Sequence, residues 1–324
     1  MSFSSDQIHK ISKEISSKVS GKTLFDEFSR GRYSTDASVY QIKPIGVILP
    51  KDTNDVLNIM DYSQRNSIPL LARGGGSSQC GQTVGESVVL DYSKHQNKIL
   101  ELNVEEKYVW VEPGVVLDHL NEYLKPYGLW FPVDVSTSSR ATIGGMSANN
   151  SCGSRSLYYG NMVHNVLAIE AILDDGSIFT FDQIEKNYLE KKNNQDRLYK
   201  IIDKFIDVRQ KVTSDIKDNW PTTQRRVGGY NIDLIDPNGF NSSNLLVGSE
   251  GTLSLFNKIK LKLSEIPKNK ILGVCYFHNF HQAMELAKEI VKLKPTCVEL
   301  MDQNLLNLAR EIPMYAEGIK KYIK

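Results

Sequence analysis

An arginine and three consecutive glycines stand directly after an apolar run in this 324-residue chain. The run at 68–72 has the composition of a buried strand, and the chain continues as Arg73-Gly74-Gly75-Gly76-Ser77-Ser78. Because glycine has no Cβ, successive backbone N–H groups of such a loop can turn toward one anion, and the two serines add hydroxyl donors. The segment predicts a loop that binds a pyrophosphate, with a flexible glycine turn as the alternative.

Two familiar nucleotide-binding patterns do not fit this loop. Residues 76–83 read G-S-S-Q-C-G-Q-T, one residue short of a P-loop, and Gln82 stands where the P-loop has its lysine. The pattern G-x-G-x-x-G fails as well, because Gln79 occupies the third glycine position. An NTPase is therefore poorly supported, and the Rossmann fingerprint is missing.

Two further segments combine small, hydroxyl and amide residues. Residues 132–151 read PVDVSTSSRATIGGMSANNS, which lets the backbone approach a flat or charged ligand and leaves amides free to bind it. A glycine-linked helix entry is the alternative for this segment. Residues 248–252, GSEGT, follow another apolar run and are a weak signal alone.

Apolar patterns predict the elements that position these segments. Residues 44–72 predict a β-α-β unit with parallel strands and a helix capped by Asp52 or Thr53. The other predicted elements are one or two helices in 1–30, strands at 88–91, 99–104, 108–111 and 245–247, helices at 115–126 and within 183–219, and a hairpin of 166–173 with 178–181. From about residue 266 the pattern restarts as strand, helix, strand, helix.

Bulk composition excludes several classes of function. Hydrophobic residues are 40% and charged residues 24%, an ordinary globular composition, and a net charge of +1 gives no case for binding nucleic acid. The four cysteines form no CxxC pair, so zinc and iron–sulfur sites lack local support and a reducing compartment is expected. No apolar run approaches the roughly 20 residues of a membrane span. We therefore expect a cytoplasmic protein without a transmembrane segment.

Together the segments resemble the FAD-binding domain of the vanillyl-alcohol-oxidase/p-cresol-methylhydroxylase (PCMH) superfamily, in the branch of D-lactate, D-2-hydroxyglutarate and glycolate oxidoreductases. The motifs RGGGSSQCGQ, PVDVSTSSRATIGGMSANNSCGSRSLYYG, NVLAIEAILDDGS and GSEGTL occur in the family's order. The stretches NNSCGSRSLYYG and RRVGGYNID are most similar to the branch fused to an iron–sulfur module. The resemblance covers about residues 30–266.

The resemblance implies an α+β fold. A two-subdomain PCMH-type FAD-binding domain would occupy residues 39–266, with a β-α-β subdomain and a mainly antiparallel subdomain with helices. An N-terminal helical arm at 1–38 would precede it, and the start of an α+β substrate cap would follow at 267–324. Neither the family's His-x-Gly-Asp-Gly-Asn motif nor the cysteine clusters of the module occur. We therefore expect a C-terminally truncated or split member, completed by a separate polypeptide with the rest of the cap and an iron–sulfur module.

By the same resemblance, FAD is the expected cofactor. Residues 74–78 would hold its pyrophosphate, and Arg73 and Gln82 would brace that loop, with Glu250 as a lesser candidate. A second set would line the flavin and its ribityl chain: Pro132, Asp134, Thr142, Gly145, Asn149 and Ser151, with the backbone near Ile169 at the isoalloxazine. Ser77 stands where some members attach flavin through a histidine, so noncovalent binding is implied.

The implied reaction is hydride transfer from the α-carbon of a 2-hydroxy acid, such as D-lactate, glycolate or D-2-hydroxyglutarate, to flavin N5. Arg225 and Arg226 are candidate carboxylate clamps, because a guanidinium matches a carboxylate bidentately; a solvated basic pair is the alternative. No catalytic residue and no metal ligand is predicted. Two other hypotheses stay open: a partner-dependent or noncatalytic flavin-binding fragment, and a relative acting on another alcohol or a sugar lactone. An electron-acceptor partner would bring the protein to the membrane peripherally.

Overall fold

The computed structural model describes residues 3–186, 196–223 and 225–322 of the chain. Two larger β-sheets organise these residues, one with four strands and one with five. Two small sheets of two strands each accompany them. The glycine loop and GSEGT lie in connections between elements, and the segment 132–151 contains a short helix.

The four-stranded sheet contains the predicted β-α-β unit. It consists of β1 (Lys22–Leu24), β2 (Gly46–Leu49), β3 (Leu70–Arg73) and β4 (Val88–Asp91), in the order β1-β2-β4-β3. β4 pairs in parallel with both β2 and β3, so the predicted parallel geometry is confirmed, although β4 lies between the two strands of the unit. Asp52 caps the connecting helix α3 (Thr53–Asn66) by accepting a hydrogen bond from Asp55 N at 3.1 Å.

The five-stranded sheet is antiparallel throughout. Its strands are β5 (Ile99–Asn103), β6 (Tyr108–Val111), β12 (Leu255–Lys262), β8 (Val166–Ile172) and β9 (Ile178–Phe181), in that order across the sheet. The 88–91, 108–111 and 178–181 strands are confirmed with the predicted bounds. The central strand β12 was not predicted, although its lysines alternate with buried apolar residues over 258–262, a period of two.

Among the described residues, the remaining elements are two small sheets, eleven further α-helices and short 3-10 helices. β7 (Leu129–Trp130) pairs with β13 (Ser264–Glu265), and β10 (Gln183–Glu185) pairs with β11 (Gly239–Asn241). The other α-helices are α1 (Ser5–Ser16), α2 (Glu27–Arg32), α4 (Leu117–Leu124), α5 (Ile143–Ala148), α6 (Ser156–Tyr159), α7 (Met162–Asn165), α8 (Arg197–Lys211), α9 (Thr213–Asn219), α10 (Phe280–Lys292), α11 (Gln303–Glu311) and α12 (Pro313–Tyr322). Short 3-10 helices span Lys125–Tyr127, Ile232–Leu234 and Ser242–Leu245.

Each large sheet has its own hydrophobic core. The larger cluster surrounds the five-stranded sheet and includes Phe131 and Phe181, both almost fully buried. The smaller cluster packs α1 and α3 against the four-stranded sheet through side chains such as Ile15. It also takes in Ile172 of β8 and Leu255 of β12. The two subdomains therefore share buried side chains at their junction.

Several element predictions are wrong in detail. Residues 1–30 contain β1 between two helices, and β1 pairs with β2, so this arm is not purely helical. Residues 245–247 do not form a strand, since Leu245 ends a 3-10 helix and a turn follows it; a short buried apolar run fits either state. The stretch 183–219 begins with β10 before its helices, and residues 187–195 within it lie outside the described residues.

The segment 267–322 differs from the predicted strand and helix alternation. It contains α10, α11 and α12 and no strand. Between residues 267 and 321, Ala283 is the one buried apolar side chain, whereas Ile271 is 97% and Leu293 82% exposed. This segment is therefore poorly covered by the body of the chain. The domain boundaries at 38 and 266 stay predictions.

Candidate cofactor site

The glycine loop lies at the carboxyl end of β3 and contacts the loop that leads into α5. A Cβ on Gly74 would lie 2.0 Å from Thr142 Oγ1, and a Cβ on Gly75 would lie 2.2 Å from the carbonyl oxygen of Arg140. Both glycines are therefore required for the close approach of the two loops, independently of any bound ligand. The contact brings the first two predicted segments together.

Gly76 makes the turn of this loop. Its φ is +63°, a backbone conformation that residues with a Cβ rarely adopt. A Cβ there would lie 2.5 Å from Nη2 of Arg73. Gly75 is exposed and Gly74, Gly76 and both serines are partly exposed, so a ligand can reach this loop.

Arg73 braces the loop through backbone carbonyl groups. Its Nη1 donates to the carbonyl oxygens of Tyr33 at 3.2 Å and Thr83 at 3.0 Å, and its Nη2 donates to that of Thr35 at 2.8 Å. Burial lowers the pKa of this guanidinium, and the neighbouring Asp91 is the largest opposing influence. These hydrogen bonds show that Arg73 braces the loop. Contact between Arg73 and a cofactor stays a prediction.

The third segment, GSEGT at 248–252, contacts the glycine loop through Gln82. Ser78 Oγ donates to Gln82 Oε1, and Gln82 Nε2 donates to Glu250 Oε1 at 3.3 Å. The backbone of the GSEGT motif bonds to the end of α5, with Gly248 N donating to the carbonyl oxygen of Ser147 at 2.9 Å and Glu250 N to that of Ala148 at 3.0 Å. All three predicted segments therefore meet around α5.

The residues predicted to line the flavin differ in accessibility. Thr142 is buried and caps α5, accepting a hydrogen bond from Gly145 N at 3.3 Å. Asp134 holds the turn at 153–155, because its carboxylate accepts from Ser154 Oγ at 3.0 Å and from Arg155 N at 3.1 Å. Gly145 is exposed, Asn149 and Ser151 are partly exposed, and Pro132 is buried.

Ile169 lies in the middle of the five-stranded sheet. Its side chain is fully buried, and its strand pairs with Ile259 on one side and Phe181 on the other. No part of this side chain is open to a ligand. A role of its backbone at the flavin ring stays a prediction.

A buried amide pair at this site was missed from the sequence. Asn150 is fully buried with φ +49°; its Oδ1 accepts from Val163 N at 3.0 Å and its Nδ2 donates to Asn231 Oδ1 at 3.4 Å. Asn231 Nδ2 donates in turn to the carbonyl oxygen of Val247 at 2.7 Å. The pair ties the end of α5 to the GSEGT motif. The sequence contained a signal for this pair, since each asparagine lies in a stretch that carries the family resemblance: Asn150 in NNSCG and Asn231 in GGYNID.

The two candidate clamp residues have different surroundings. Arg226 pairs with Asp233, lies 5.3 Å from the ring centroid of Trp220, and is only partly exposed. Arg225 is exposed, and its Nε donates to Cys152 Sγ at 3.0 Å in the turn that follows α5. Arg226 is therefore held as a structural ion pair, whereas Arg225 lies beside the second site segment.

His164 lies next to this ion pair. Its Nδ1 accepts from Asn161 N at 3.0 Å, which leaves Nε2 as the protonated nitrogen of a neutral ring. Burial lowers the pKa of His164, and the nearby positive charge of Arg226 lowers it further. The ring is therefore neutral near pH 7.

This junction offers polar groups to a cofactor. The glycine loop is accessible, and the buried hydroxyls of Ser147 in α5 and Ser249 in the GSEGT motif have no hydrogen-bond partner among the described residues. Over the same residues, no group of three or more His, Cys, Asp and Glu side chains could hold a metal ion. Where the helices are described, none is long and apolar enough to cross a membrane.

Comparison with known proteins agrees with this geometry. The sequence profile of the family described as FAD binding domain matches residues 44–182. The chain is 36% identical over 291 residues to D-2-hydroxyglutarate dehydrogenase of Haemophilus influenzae, a match that covers 86% of this chain and 28% of that protein. It is 30% identical over 305 residues to glycolate oxidase subunit GlcD of Bacillus subtilis, covering 92% of this chain and 55% of that protein.

A solved structure of alkyldihydroxyacetonephosphate synthase shares the fold. It superposes with a TM-score of 0.65 at 16% identity, over 99% of this chain and 57% of that chain. The present chain thus spans 28% of the length of the first relative and 55% of the second. The matched domain, the motif order and the shared fold together lead to one assignment. The chain therefore contains an FAD-binding domain at residues 44–182, and over most of its length it is similar to D-2-hydroxyglutarate dehydrogenase and to glycolate oxidase subunit GlcD.

Proposed function

We propose that the chain is the flavin-binding part of an oxidoreductase that oxidises a 2-hydroxy acid such as D-2-hydroxyglutarate, glycolate or D-lactate. The observation that carries the proposal is the meeting of three segments around α5, where Gly74 and Gly75 touch the 140–142 loop and Gln82 bonds to Glu250. The relatives' names supply the class of substrate. Residues 39–266 would form the FAD-binding domain, between the arm at 1–38 and the start of the cap at 267–324.

FAD, when bound, would supply the hydride acceptor, and the chain would supply binding and orientation. Residues 74–78 would hold the pyrophosphate with backbone N–H groups and the two serine hydroxyls. Arg73 and Gln82 would keep that loop in place. The flavin and ribityl chain would lie against the second set of predicted residues: Pro132, Asp134, Thr142, Gly145, Asn149 and Ser151, with the backbone of Ile169 near the ring.

We propose noncovalent attachment of FAD. Ser77 occupies the loop position that would carry a covalent histidine in some family members. A serine hydroxyl has no nucleophilic nitrogen with which to bond the flavin ring. Acid precipitation of the purified holoprotein should therefore release the flavin as FAD, and flavin that stays with the precipitate would contradict noncovalent attachment.

Arg225 is the favoured clamp for the substrate carboxylate. It is exposed, and its Nε contact with Cys152 holds it beside the turn that follows α5. A guanidinium with its terminal nitrogens accessible can bind a carboxylate with two parallel hydrogen bonds. Arg226 would serve a different purpose, since its pairing with Asp233 leaves it less available to a ligand.

A partner polypeptide is part of the proposal. The apolar side chains between 267 and 322 are largely exposed, and patches of this kind are typical of surfaces that another protein covers. Such a partner would carry the rest of the cap and an iron–sulfur module that accepts electrons. The four free cysteines favour a reducing, cytoplasmic location, with peripheral attachment to a membrane through the electron acceptor.

Anaerobic reduction of the bound flavin tests the proposed function. The purified chain is mixed with D-2-hydroxyglutarate, glycolate or D-lactate, and the absorbance of the flavin is followed. The experiment is repeated with a polypeptide that carries the proposed rest of the cap. Bleaching by at least one of these acids, and not by simple alcohols or sugar lactones, is expected. Bleaching by an alcohol or lactone alone would contradict the substrate class.

A further inference from the structure

We infer that residues 33–40 form a strap that positions the candidate pyrophosphate loop, with Tyr33 as its main positioning residue. This inference rests on the proposed binding of FAD at that loop. The strap lies outside every motif that carries the family resemblance. Its evidence is a set of contacts that reach Arg73 at the beginning of the loop and Gly81 and Thr83 at its end.

The first contact is made by the arginine that begins the loop. Two of the three carbonyl groups that accept from the Arg73 guanidinium belong to the strap, those of Tyr33 and Thr35. The third belongs to Thr83, at the far end of the loop. A single rigid guanidinium therefore ties both ends of the loop to the strap.

Tyr33 is held in turn by the sheet. Its hydroxyl donates to Asp91 Oδ2 at 2.6 Å, and its ring centroid lies 5.2 Å from the Arg73 guanidinium carbon. Asp91 is the last residue of β4 and only 4% exposed. Burial and the bonded carboxylate raise the pKa of Tyr33, so its hydroxyl keeps its proton at neutral pH. The strap is thus anchored to β4, an inner strand of the four-stranded sheet.

Two more contacts reach the second half of the loop. Thr83 Oγ1 donates to Asp36 Oδ2 at 3.0 Å. A Cβ on Gly81, which has φ +82°, would lie 2.6 Å from Cδ2 of Tyr40, so the tyrosine ring lies directly on the loop backbone. The strap therefore restrains residues on both sides of the glycine turn.

The restraint matters because the loop is rich in glycine. A chain of three glycines has many accessible conformations when free, and fixing it on a ligand costs conformational entropy. A strap that fixes both ends before binding reduces this cost and raises affinity without touching the ligand. The expected result of releasing the strap is weaker pyrophosphate binding in a chain that still folds.

Tyr33→Phe is the test variant, and Tyr62→Phe is its matched control. Tyr62 also donates from its hydroxyl to a carboxylate, Glu14 Oε2 at 2.7 Å, and is 5% exposed, but its partner lies on α1 rather than at the loop. Both variants lose one bond to a charged group. Thr83→Val is a second test variant, which removes the bond to Asp36 and leaves Tyr33 intact.

The measurements are the dissociation constants of FAD, ADP and riboflavin for the full apo chain, with thermal unfolding of the same samples. Tyr33→Phe should weaken FAD and ADP by about tenfold, the size of one bond to a charged group. Riboflavin, which has no phosphate, should bind as before. Tyr62→Phe should lower thermal stability while leaving all three constants unchanged.

The outcomes separate this inference from the proposed function. A wild-type chain that binds no FAD would overturn the proposed function and the strap together. A wild-type chain that binds FAD, with Tyr33→Phe and Tyr62→Phe giving equal affinities, would overturn the strap alone. If Tyr33→Phe does not fold, weakened FAD and ADP binding by Thr83→Val supports the strap, and unchanged binding overturns it.

Discussion

At the scale of single residues, neighbours in sequence can have unrelated roles. Arg225 and Arg226 form one basic pair in the sequence, yet one guanidinium is exposed beside Cys152 and the other is paired with Asp233. Because the guanidinium of arginine matches a carboxylate, the sequence alone predicts a carboxylate clamp at both positions. Only the surroundings of each side chain distinguish the two.

The two arginines should therefore respond differently to the same substitution. Arg225→Gln should raise the KM for a 2-hydroxy acid by about tenfold or more, with little change in thermal stability, because a charged bidentate contact is lost. Arg226→Gln should lower the thermal midpoint, because Asp233 would be left without its partner. Steady-state kinetics with the complete enzyme and thermal unfolding of both variants provide the check. Equal KM values for Arg225→Gln and wild type would contradict the clamp.

Gly75 shows that a glycine motif can have two physical causes. From the sequence, its missing Cβ would allow a phosphate to approach; in the structure, the nearest atom to a Cβ would be the carbonyl oxygen of Arg140 at 2.2 Å. Gly75→Val should therefore separate the two loops as well as weaken FAD binding. We expect a loss of apo-chain stability of about 1–3 kcal/mol, measured by denaturant unfolding. Gly228→Val, at a position with open space around the Cβ, is the control, and equal stability of the two variants would contradict the loop contact.

At the scale of elements, the strongest local patterns were predicted, and β12, which has no boundary signal, was missed. The hairpin of 166–181 was correct because Asp174 to Ser177 mark its turn. β12 has a period of two, but only two residues separate it from GSEGT, a motif already interpreted as a ligand loop. Its pairing partners β6 and β8 lie far away in the sequence, so its central place could not be read from local residues.

The central place of β12 can be tested by comparing its two faces. Ile259 is fully buried between β6 and β8, whereas Lys262 at the end of the strand is exposed. Ile259→Ala should lower the free energy of unfolding by about 2–5 kcal/mol through the lost side chain and the cavity left behind. Lys262→Ala should change it by less than about 0.5 kcal/mol. Urea unfolding followed by circular dichroism measures both, and a small effect of Ile259→Ala would argue against a buried central strand.

At the scale of the whole chain, the candidate site depends on contacts that no single segment predicts. The sequence motifs named the three segments, but the contact of Gly74 with Thr142 and the bond of Gln82 to Glu250 arise only when the two subdomains meet. The strap at 33–40 was missed for the same reason, since its residues have no ligand-like composition. Long-range packing, which places distant segments together, was the information that local patterns lacked.

The segment 267–322 should be the first part of the chain to open. Between residues 267 and 321 the apolar side chains are largely exposed, which is typical of regions with low local stability. Trypsin should cut first at Lys268 or Lys270, both exposed and outside regular structure. The remaining fragment should retain FAD. A Lys268→Gln, Lys270→Gln double variant should be cut more slowly, and early cleavage inside 39–262 would contradict this order.

The order of strands in the five-stranded sheet also matters while the protein is being synthesised. The four-stranded sheet is complete once residue 91 has left the ribosome, so that subdomain can begin to fold early. The five-stranded sheet cannot be completed until later, because its middle strand β12 is the last of its strands to be synthesised. Until residue 262 is available, β6 and β8 each have an unpaired edge. Open edges pair readily with other chains, so a pause in translation before this point would favour aggregation and make the nascent chain a substrate for chaperones.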